Sequence, residues 1–258
     1  MSDGASIALS NVTVRFGDTV AVQRVSFRVS PGEVVAVVGG SGSGKTTALK
    51  TINRLVDPTE GTVHVGGEDV RTLAPATLRR RVGYCFQRIG LFPHLTVAEN
   101  VGITPRLLGW PAERITERVD ELLELVRLPA RDYGERLPEA LSGGQRQRGG
   151  VARALAAQPR VVLFDEPFGA LDALTREDLQ RELLSLRAEV GLTGVFVTHD
   201  ILEALIVGDR IGVMRGGRLL QIDTPQRLLA APADPYVETL LASPRRHATR
   251  LTELLPGP

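Results

Sequence analysis

Eight residues, Gly39-Gly-Ser-Gly-Ser-Gly-Lys45-Thr46, constrain this chain more than any other feature. They fit the pattern G-x-x-x-x-G-K-[ST], which carries meaning only after a strand and before a helix. Both neighbours are present. Residues 33–38, Glu-Val-Val-Ala-Val-Val, are short, apolar and β-branched, as in a strand buried on both faces of a parallel sheet. Across residues 45–56, Leu49, Ile52 and Val56 recur at helical spacing. Gly39, Gly42 and Gly44 let the backbone turn tightly, so that successive N–H groups converge on phosphate oxygens. The helix N-terminus adds the positive end of its dipole. Gly39, Gly40, Ser41, Gly42, Ser43, Gly44, Lys45, Thr46 and Thr47 are therefore the expected nucleotide cradle. Lys45 is expected to reach the β- and γ-phosphates and Thr46 to ligate Mg²⁺, which takes octahedral oxygen ligands and keeps several waters.

Val161-Val-Leu-Phe-Asp-Glu166 supplies a partner motif. Four apolar residues make a core strand, and the acids come at its end, where ligands bind in open α/β sheets. Asp165 is expected to hold Mg²⁺ through water, and Glu166 to polarise an attacking water as general base. Together the two motifs point to a nucleoside triphosphatase without saying which kind. Lysine usage agrees. Of 31 basic residues only Lys45 and Lys50 are lysine, an imbalance that arginine-rich codon usage explains. A lysine is kept at 45, where a compact ammonium fits and a broad guanidinium does not.

The remaining sequence fixes the class. With 258 residues, 43% hydrophobic and 24% charged, the chain can bury a sizeable core, which excludes disorder for its bulk. A net charge of +1 gives no basic footprint for nucleic acid. One cysteine, Cys85, excludes an internal disulfide and a cysteine-cluster metal site. No uncharged apolar run approaches the roughly 20 residues that span a bilayer. The opening MSDGASIALSNV lacks a basic segment followed by an apolar core, so a cytosolic chain is expected. Val161–Phe164 and Val195–Val197 read as further buried strands, and Arg210–Met214 with Arg218–Ile222 as a hairpin turning at Gly216-Gly217. Ile7–Phe16, Thr19–Val29 and Gly61–Val70 alternate like strands of an antiparallel layer. From about 93 to 158 the pattern is helical. There Ile115, Val119, Leu122, Leu123 and Val126 form an apolar stripe opposite Glu113, Arg114, Glu117, Arg118 and Glu121. This is an α/β protein with an inserted helical lobe: a core at about 1–92 and 159–240, and a helical subdomain at about 93–158. Residues 241–258 are expected to form an arginine- and proline-rich solvated tail without a further domain.

Leu141-Ser-Gly-Gly-Gln145 narrows the reading. Ser142 with Gln145 three residues on is a capping box at a helix start. Gly143 and Gly144 bare the amides beside it, and such a helix start attracts anions. One chain already has a complete phosphate cradle, so a second anion site suggests another chain's nucleotide. With these five residues the chain resembles the nucleotide-binding subunits of ATP-binding-cassette (ABC) transporters. The resemblance covers about residues 7–240. It implies a P-loop NTPase (RecA-like) core and ATP with Mg²⁺ as the bound pair. It also implies that two cassettes pack head to tail, Ser142, Gly143, Gly144 and Gln145 of one facing the γ-phosphate on the other's Lys45. Further positions match the family: Gln87 for the glutamine that senses Mg²⁺ and the attacking water, and Asp172 for the acid crossing the dimer interface. His199 matches the histidine on the γ-phosphate, and Phe16 the aromatic stacked on adenine. One departure is Gly149, where such subunits usually carry a bulky apolar residue, and a helix-interior glycine costs about 1 kcal/mol relative to alanine.

Residues 87–110 bear on the partner. Gln87-Arg-Ile-Gly-Leu-Phe-Pro-His and Leu107-Leu-Gly-Trp110 resemble the cassettes of bacterial importers for glycine betaine, choline and carnitine. The resemblance implies an ATPase on the cytoplasmic face of the membrane, bound to integral permease subunits and served by a substrate-binding protein. Leu91, Phe92 and Pro93 suit a groove that receives a short helix from a membrane subunit; for Leu91 core packing is equally expected, and for Phe92 it is the first expectation. Import of an amino acid or another small solute, and a soluble cassette protein without a membrane partner, are the competing readings.

Overall fold

The computed structural model describes residues 6–87, 90–169 and 171–242. Strands β1 (Ile7–Phe16) and β2 (Thr19–Val29) form a hairpin, followed by β3 (Val34–Val38) and helix α1 (Lys45–Ile52). Next come β4 (Glu60–Val65), β5 (Glu68–Asp69), α2 (Pro75–Arg81) and β6 (Val82–Cys85). The helical stretch holds α3 (Val97–Leu107), α4 (Ala112–Leu125), α5 (Ala130–Tyr133) and α6 (Gly143–Leu155). The chain then returns through β7 (Val161–Asp165), α7 (Ala173–Val190), β8 (Thr193–Thr198) and α8 (Ile201–Val207). It closes the described fold with β9 (Arg210–Arg215), β10 (Arg218–Asp223) and α9 (Pro225–Ala230).

Two sheets result. The antiparallel one has the order β2-β1-β4-β5, and the other the order β10-β9-β3-β8-β7-β6 with only β10 antiparallel. Alternation along β3 decides what each face covers. Val35 and Val37 pack with Ala48, Leu49 and Ile52 of α1 and with Val12 of the antiparallel sheet. Val34, Ala36 and Val38 join Phe164, Phe196 and the helical residues Leu122 and Val151 on the other side. Burying each such Val, Leu or Phe contributes roughly 1.5–3 kcal/mol, which is why both faces of this sheet are apolar throughout.

The lobe behaves as its stripe predicts, since Val119, Leu122, Leu123 and Val126 are buried. Its charged face is less free than expected. Arg118 is largely covered, donating to the Leu155 carbonyl at 3.2 Å and pairing with Glu121. At the entry to α3, Thr96 and Glu99 form a capping box. The buried Asn100 accepts from the Phe92 N–H at 2.7 Å and donates to the carbonyls of Phe92, Leu95 and Thr96, pinning the turn before the helix.

Three elements differ from the sequence reading. Helix α1 stops at Ile52 rather than running to Val56, because Arg54 adopts φ 55° and the N–H groups of Leu55 and Val56 both return to the Lys50 carbonyl. Val56 still packs against the apolar cluster. The strand expected over 61–70 breaks at Gly66-Gly67, both at positive φ, into β4 and the short β5, and ends in a 3₁₀ turn capped by Asp69. Strand β6 was not expected; it is four residues long and directly follows a helix that ends in three arginines. No helix among the described residues is long and apolar enough to cross a membrane.

Candidate nucleotide-binding site

Parallel pairing lines up the strand ends. Val38 lies beside Thr198, Val197 beside Asp165, and Phe164 beside Cys85. The glycine loop, Asp165-Glu166, His199 and the segment leading to Gln87 therefore leave one carboxyl edge of the sheet.

At Gly39 an added Cβ would lie 2.1 Å from the Met214 carbonyl oxygen. At Gly44, where φ is 96°, it would lie 2.4 Å from that of Ala21. Close backbone packing therefore demands glycine at both positions. Lys45 is 6% exposed and folds over its own loop, donating to the carbonyls of Gly39 at 2.8 Å and Gly40 at 3.0 Å, with Ser43 Oγ at 3.4 Å. Burial lowers its pKa, and the nearby carboxylates of Glu166 and Asp165 oppose that shift. A point ammonium spends its three donors on three acceptors here, a geometry that a planar fork does not share.

Asp165 is 2% exposed. Thr46 Oγ1 donates to its Oδ1 at 2.8 Å, and the Tyr84 hydroxyl to its Oδ2 at 3.2 Å. Burial raises the Asp165 pKa, while the two hydroxyl hydrogen bonds pull it down. Burial also pushes the Tyr84 phenol well up, so it remains a donor. Glu166 sits at φ 47°, a left-handed conformation that costs a non-glycine residue about 1–3 kcal/mol. Its N–H donates to the Val197 carbonyl at 2.8 Å, which holds it there. Its Oε2 lies 3.2 Å from Nδ1 of the exposed His199. The turn carrying His199 is braced on both sides: Thr198 Oγ1 donates to the buried Glu203 at 2.6 Å and accepts from the Asp200 N–H at 3.0 Å.

Lys45, Thr46, Asp165, Glu166 and His199 thus converge. Gln87 is exposed two residues beyond the end of β6, at the same edge. Phe16 is 54% exposed at the tip of the β1–β2 hairpin, free to stack. Ser41, Gly42 and Thr47 lie in the cradle and the first turn of α1. The remaining expected residues sit at the starts of α6 and α7, and no hydrogen bond among the described residues joins them to this cluster. Ser142 and Gln145 form the capping box of α6, with N···O distances of 2.8 and 3.2 Å. A Cβ at Gly143 would meet nothing within 4 Å. Asp172 caps α7 through the Thr175 N–H at 3.0 Å, and that bond holds its carboxyl below the usual value.

Two tyrosines were not found from sequence. Tyr84 holds Asp165, and Tyr236 accepts the N–H of Gly40 at 3.0 Å with the Arg215 guanidinium over its ring. The only signal was a phenol inside an apolar run in one case and next to a proline in the other.

Beside the site, between β6, α3 and the end of α6, lies an apolar cavity of about 450 Å³ lined by Leu55, Tyr84, Phe86, Phe92, Leu107 and Arg153. Phe92 is 42% exposed there, which corrects the expectation of a core residue: Asn100 holds its backbone while its ring faces outward. Leu91 is instead the core residue, 8% exposed. A Cβ at Gly149 would sit 3.4 Å from Leu91 Cδ1, so Leu91 fills the space that a larger side chain on α6 would take. Arg153 reaches across to the Gly90 carbonyl and lies over the rings of Phe86 and Phe92. Arg88 and Ile89 of the importer-like stretch, Ala170 two residues before Asp172, and the tail from 243 lie outside the described residues.

The family model for the ABC transporter matches residues 22–169. The choline transport ATP-binding protein of Bacillus subtilis (strain 168) is 45% identical over 240 residues, covering 93% of this chain and 63% of that protein. The chain therefore spans less than two thirds of that relative's length. The glycine betaine uptake system ATP-binding protein of Escherichia coli (strain K12) is 46% identical over 231 residues, 90% of this chain and 75% of that one. A dimeric ATP-binding cassette described as a post-hydrolysis state bound to ADP and Pi superimposes with a TM-score of 0.78 at 35% identity, covering 84% of this chain and 98% of that chain.

Proposed function

The chain belongs to the ABC transporter family, and from that premise we propose that it is the ATP-hydrolysing subunit of an importer for quaternary-ammonium osmoprotectants such as glycine betaine, choline or carnitine. One observation carries the ATPase reading: Lys45, Thr46, Asp165, Glu166 and His199 meet at one sheet edge, with Glu166 and His199 in contact. The transport functions of the choline and glycine betaine relatives support the cargo.

In this reading the amides of residues 39–47 and Lys45 take the phosphates of ATP, and Phe16 stacks on adenine. The Thr46 hydroxyl and Asp165 carboxylate, 2.8 Å apart, are hard oxygen donors that fit Mg²⁺, with Gln87 at the same edge. When bound, that ion supplies charge neutralisation of the phosphates. Glu166 accepts a proton from the attacking water as its oxygen bonds to the γ-phosphorus and the bond to the ADP oxygen breaks. His199, braced through Thr198 and Glu203, steadies Glu166 and the γ-phosphate.

The second half of the reaction centre comes from a second copy: Ser142, Gly143, Gly144 and Gln145 of one chain against the nucleotide of the other, with Asp172 at the interface. The open space at Gly143 supports that approach. The exposed rings of Phe86 and Phe92 in the apolar groove suit a short helix of a permease subunit, which would hold this chain on the cytoplasmic face of the membrane and link it indirectly to a substrate-binding protein. The test is reconstitution with the membrane subunits and binding protein, measuring ATPase stimulation by glycine betaine, choline, carnitine and proline in turn. Stimulation by a quaternary ammonium compound is expected. A response to none of them assigns the importer another cargo.

A further inference from the structure

We propose that Tyr84 is a positioning residue that ties the filling of the apolar groove to the posture of Asp165. The inference rests on the groove being a partner's seat, and it names the route by which an occupant is felt at the nucleotide.

Among the described residues, Tyr84 is the side chain that both lines the groove and bonds to Asp165. Its ring lines the cavity and packs on Phe86 with centroids 4.4 Å apart, tilted by 49°. Its hydroxyl donates to Oδ2 of Asp165 at 3.2 Å, while Thr46 of the cradle occupies Oδ1 of the same carboxylate. The chain of contacts from groove to phosphate loop is therefore Phe86, Tyr84, Asp165, Thr46. Strand β6 carries Tyr84 and runs on through Phe86 to Gln87, so one stretch of chain serves both ends. The hydrogen bond is slack. An O–H donor to a carboxylate settles at about 2.5–2.7 Å when unstrained, and here it is half an ångström or so longer. A ring pressed from the groove side shortens that bond, and an occupant that draws Phe86 outward lengthens it. Either motion re-aims a carboxylate that Thr46 holds only at its other oxygen.

Outer partners of a metal-binding carboxylate typically govern affinity by about 10–100-fold. The first arm of the test is Tyr84→Phe, which keeps the ring and removes the hydroxyl. Mn²⁺ serves as a paramagnetic probe of the Mg²⁺ site, titrated against the full chain with a non-hydrolysable ATP analogue. Mn²⁺ affinity is expected to fall about tenfold, while the analogue binds unchanged without metal. Equal Mn²⁺ affinity in both proteins overturns the positioning role.

The second arm fills the groove without a partner. Ala157 lines it, and Ala157→Trp occupies part of its volume. This substitution is expected to shift Mn²⁺ affinity by about threefold or more with Tyr84 present, and by much less in the Tyr84→Phe background, the non-additivity of coupled residues. Additive effects overturn the link between groove and metal site. Should Ala157→Trp lower the melting temperature, Leu107→Trp, at an exposed position lining the same groove, makes the same comparison. Neither arm uses a membrane subunit or a transported solute. Failure here leaves the importer reading standing, and failure of solute stimulation leaves both arms readable.

Discussion

Glu166 carries a cost that a task at this site explains, a left-handed backbone, and it sets its carboxylate against a histidine. Replacing it by glutamine keeps the shape and removes the base. Glu166→Gln is expected to bind ATP as the parent does and to lose about 10²–10⁴-fold in turnover, the usual worth of a positioned general base. Near-parental steady-state hydrolysis would take Glu166 out of that role. Glu203 makes a different prediction. Burial is the main cause that raises its pKa, with the Thr198 hydrogen bond and Arg176 opposing. The native state thus holds this proton more tightly than the unfolded chain, so folding loses stability as pH rises through the unfolded value to the native one. Glu203→Gln is expected to melt higher than the parent at pH 7–8, with the gap closing as pH falls towards 4. A gap that persists at low pH assigns the effect to packing. Side chains of this kind also show what a sequence reveals. Lys45, Thr46, Asp165 and Glu166 were legible because their spacing within a strand–loop unit carries the chemistry. Tyr84 and Tyr236 were not, because their partners lie 81 and 196 residues away and nothing local marks a phenol that will meet a carboxylate or a loop amide.

At the scale of elements, periodicity located the strands of both sheets other than β6, and the stripe of α4, since burial on one or two faces leaves a period in the sequence. It failed where a local backbone event overrides the period. Leu49, Ile52 and Val56 all reach the core, yet α1 ends at Ile52 and Val56 arrives from a turn. Strand β6 is too short to show a period and is defined by its neighbour β7. The glycine in α6 illustrates complementarity between elements. Read alone, Gly149 weakens the helix. In the fold it is the floor on which Leu91 rests, just after the two undescribed residues that follow Gln87. Gly149→Ala places its Cβ at an ordinary contact distance and gains helix propensity, so it is expected to raise stability by up to about 1 kcal/mol with activity retained. Gly149→Leu competes with Leu91 for the same volume and is expected to cost about 1–3 kcal/mol by overpacking. Because Leu91 lies four residues from Gln87, it is also expected to lower turnover. Denaturant melts and ATPase assays on the two variants separate these effects. A Gly149→Leu protein with parental stability would show that Leu91 is not held there.

At the scale of the molecule, the proposed function has one chain assemble only part of a hydrolytic centre. The cradle, the acids and His199 share an edge, while the start of α6, closed by its own Ser142–Gln145 capping box, makes no hydrogen bond to them among the described residues and leaves Ser142 exposed beside open space at Gly143. A helix N-terminus of this kind lowers its energy by meeting an anion, and a second copy turned head to tail brings one without new architecture. The cap and the proposed contact in trans can be told apart. Ser142→Ala removes the cap and is expected to cost about 0.5–2 kcal/mol of stability. Ser142→Trp loses the same cap and adds bulk where the neighbour's phosphate would approach. If the site is shared, Ser142→Trp is expected to bind ATP normally and to lose turnover far beyond Ser142→Ala, by about 10²-fold or more for the loss of preorganised donors. The parent's activity per chain is expected to rise with protein concentration until the dimer saturates. Full activity at concentrations where light scattering finds only monomer would mean that each chain completes its own site, and the open flank at Gly143 would then need another explanation.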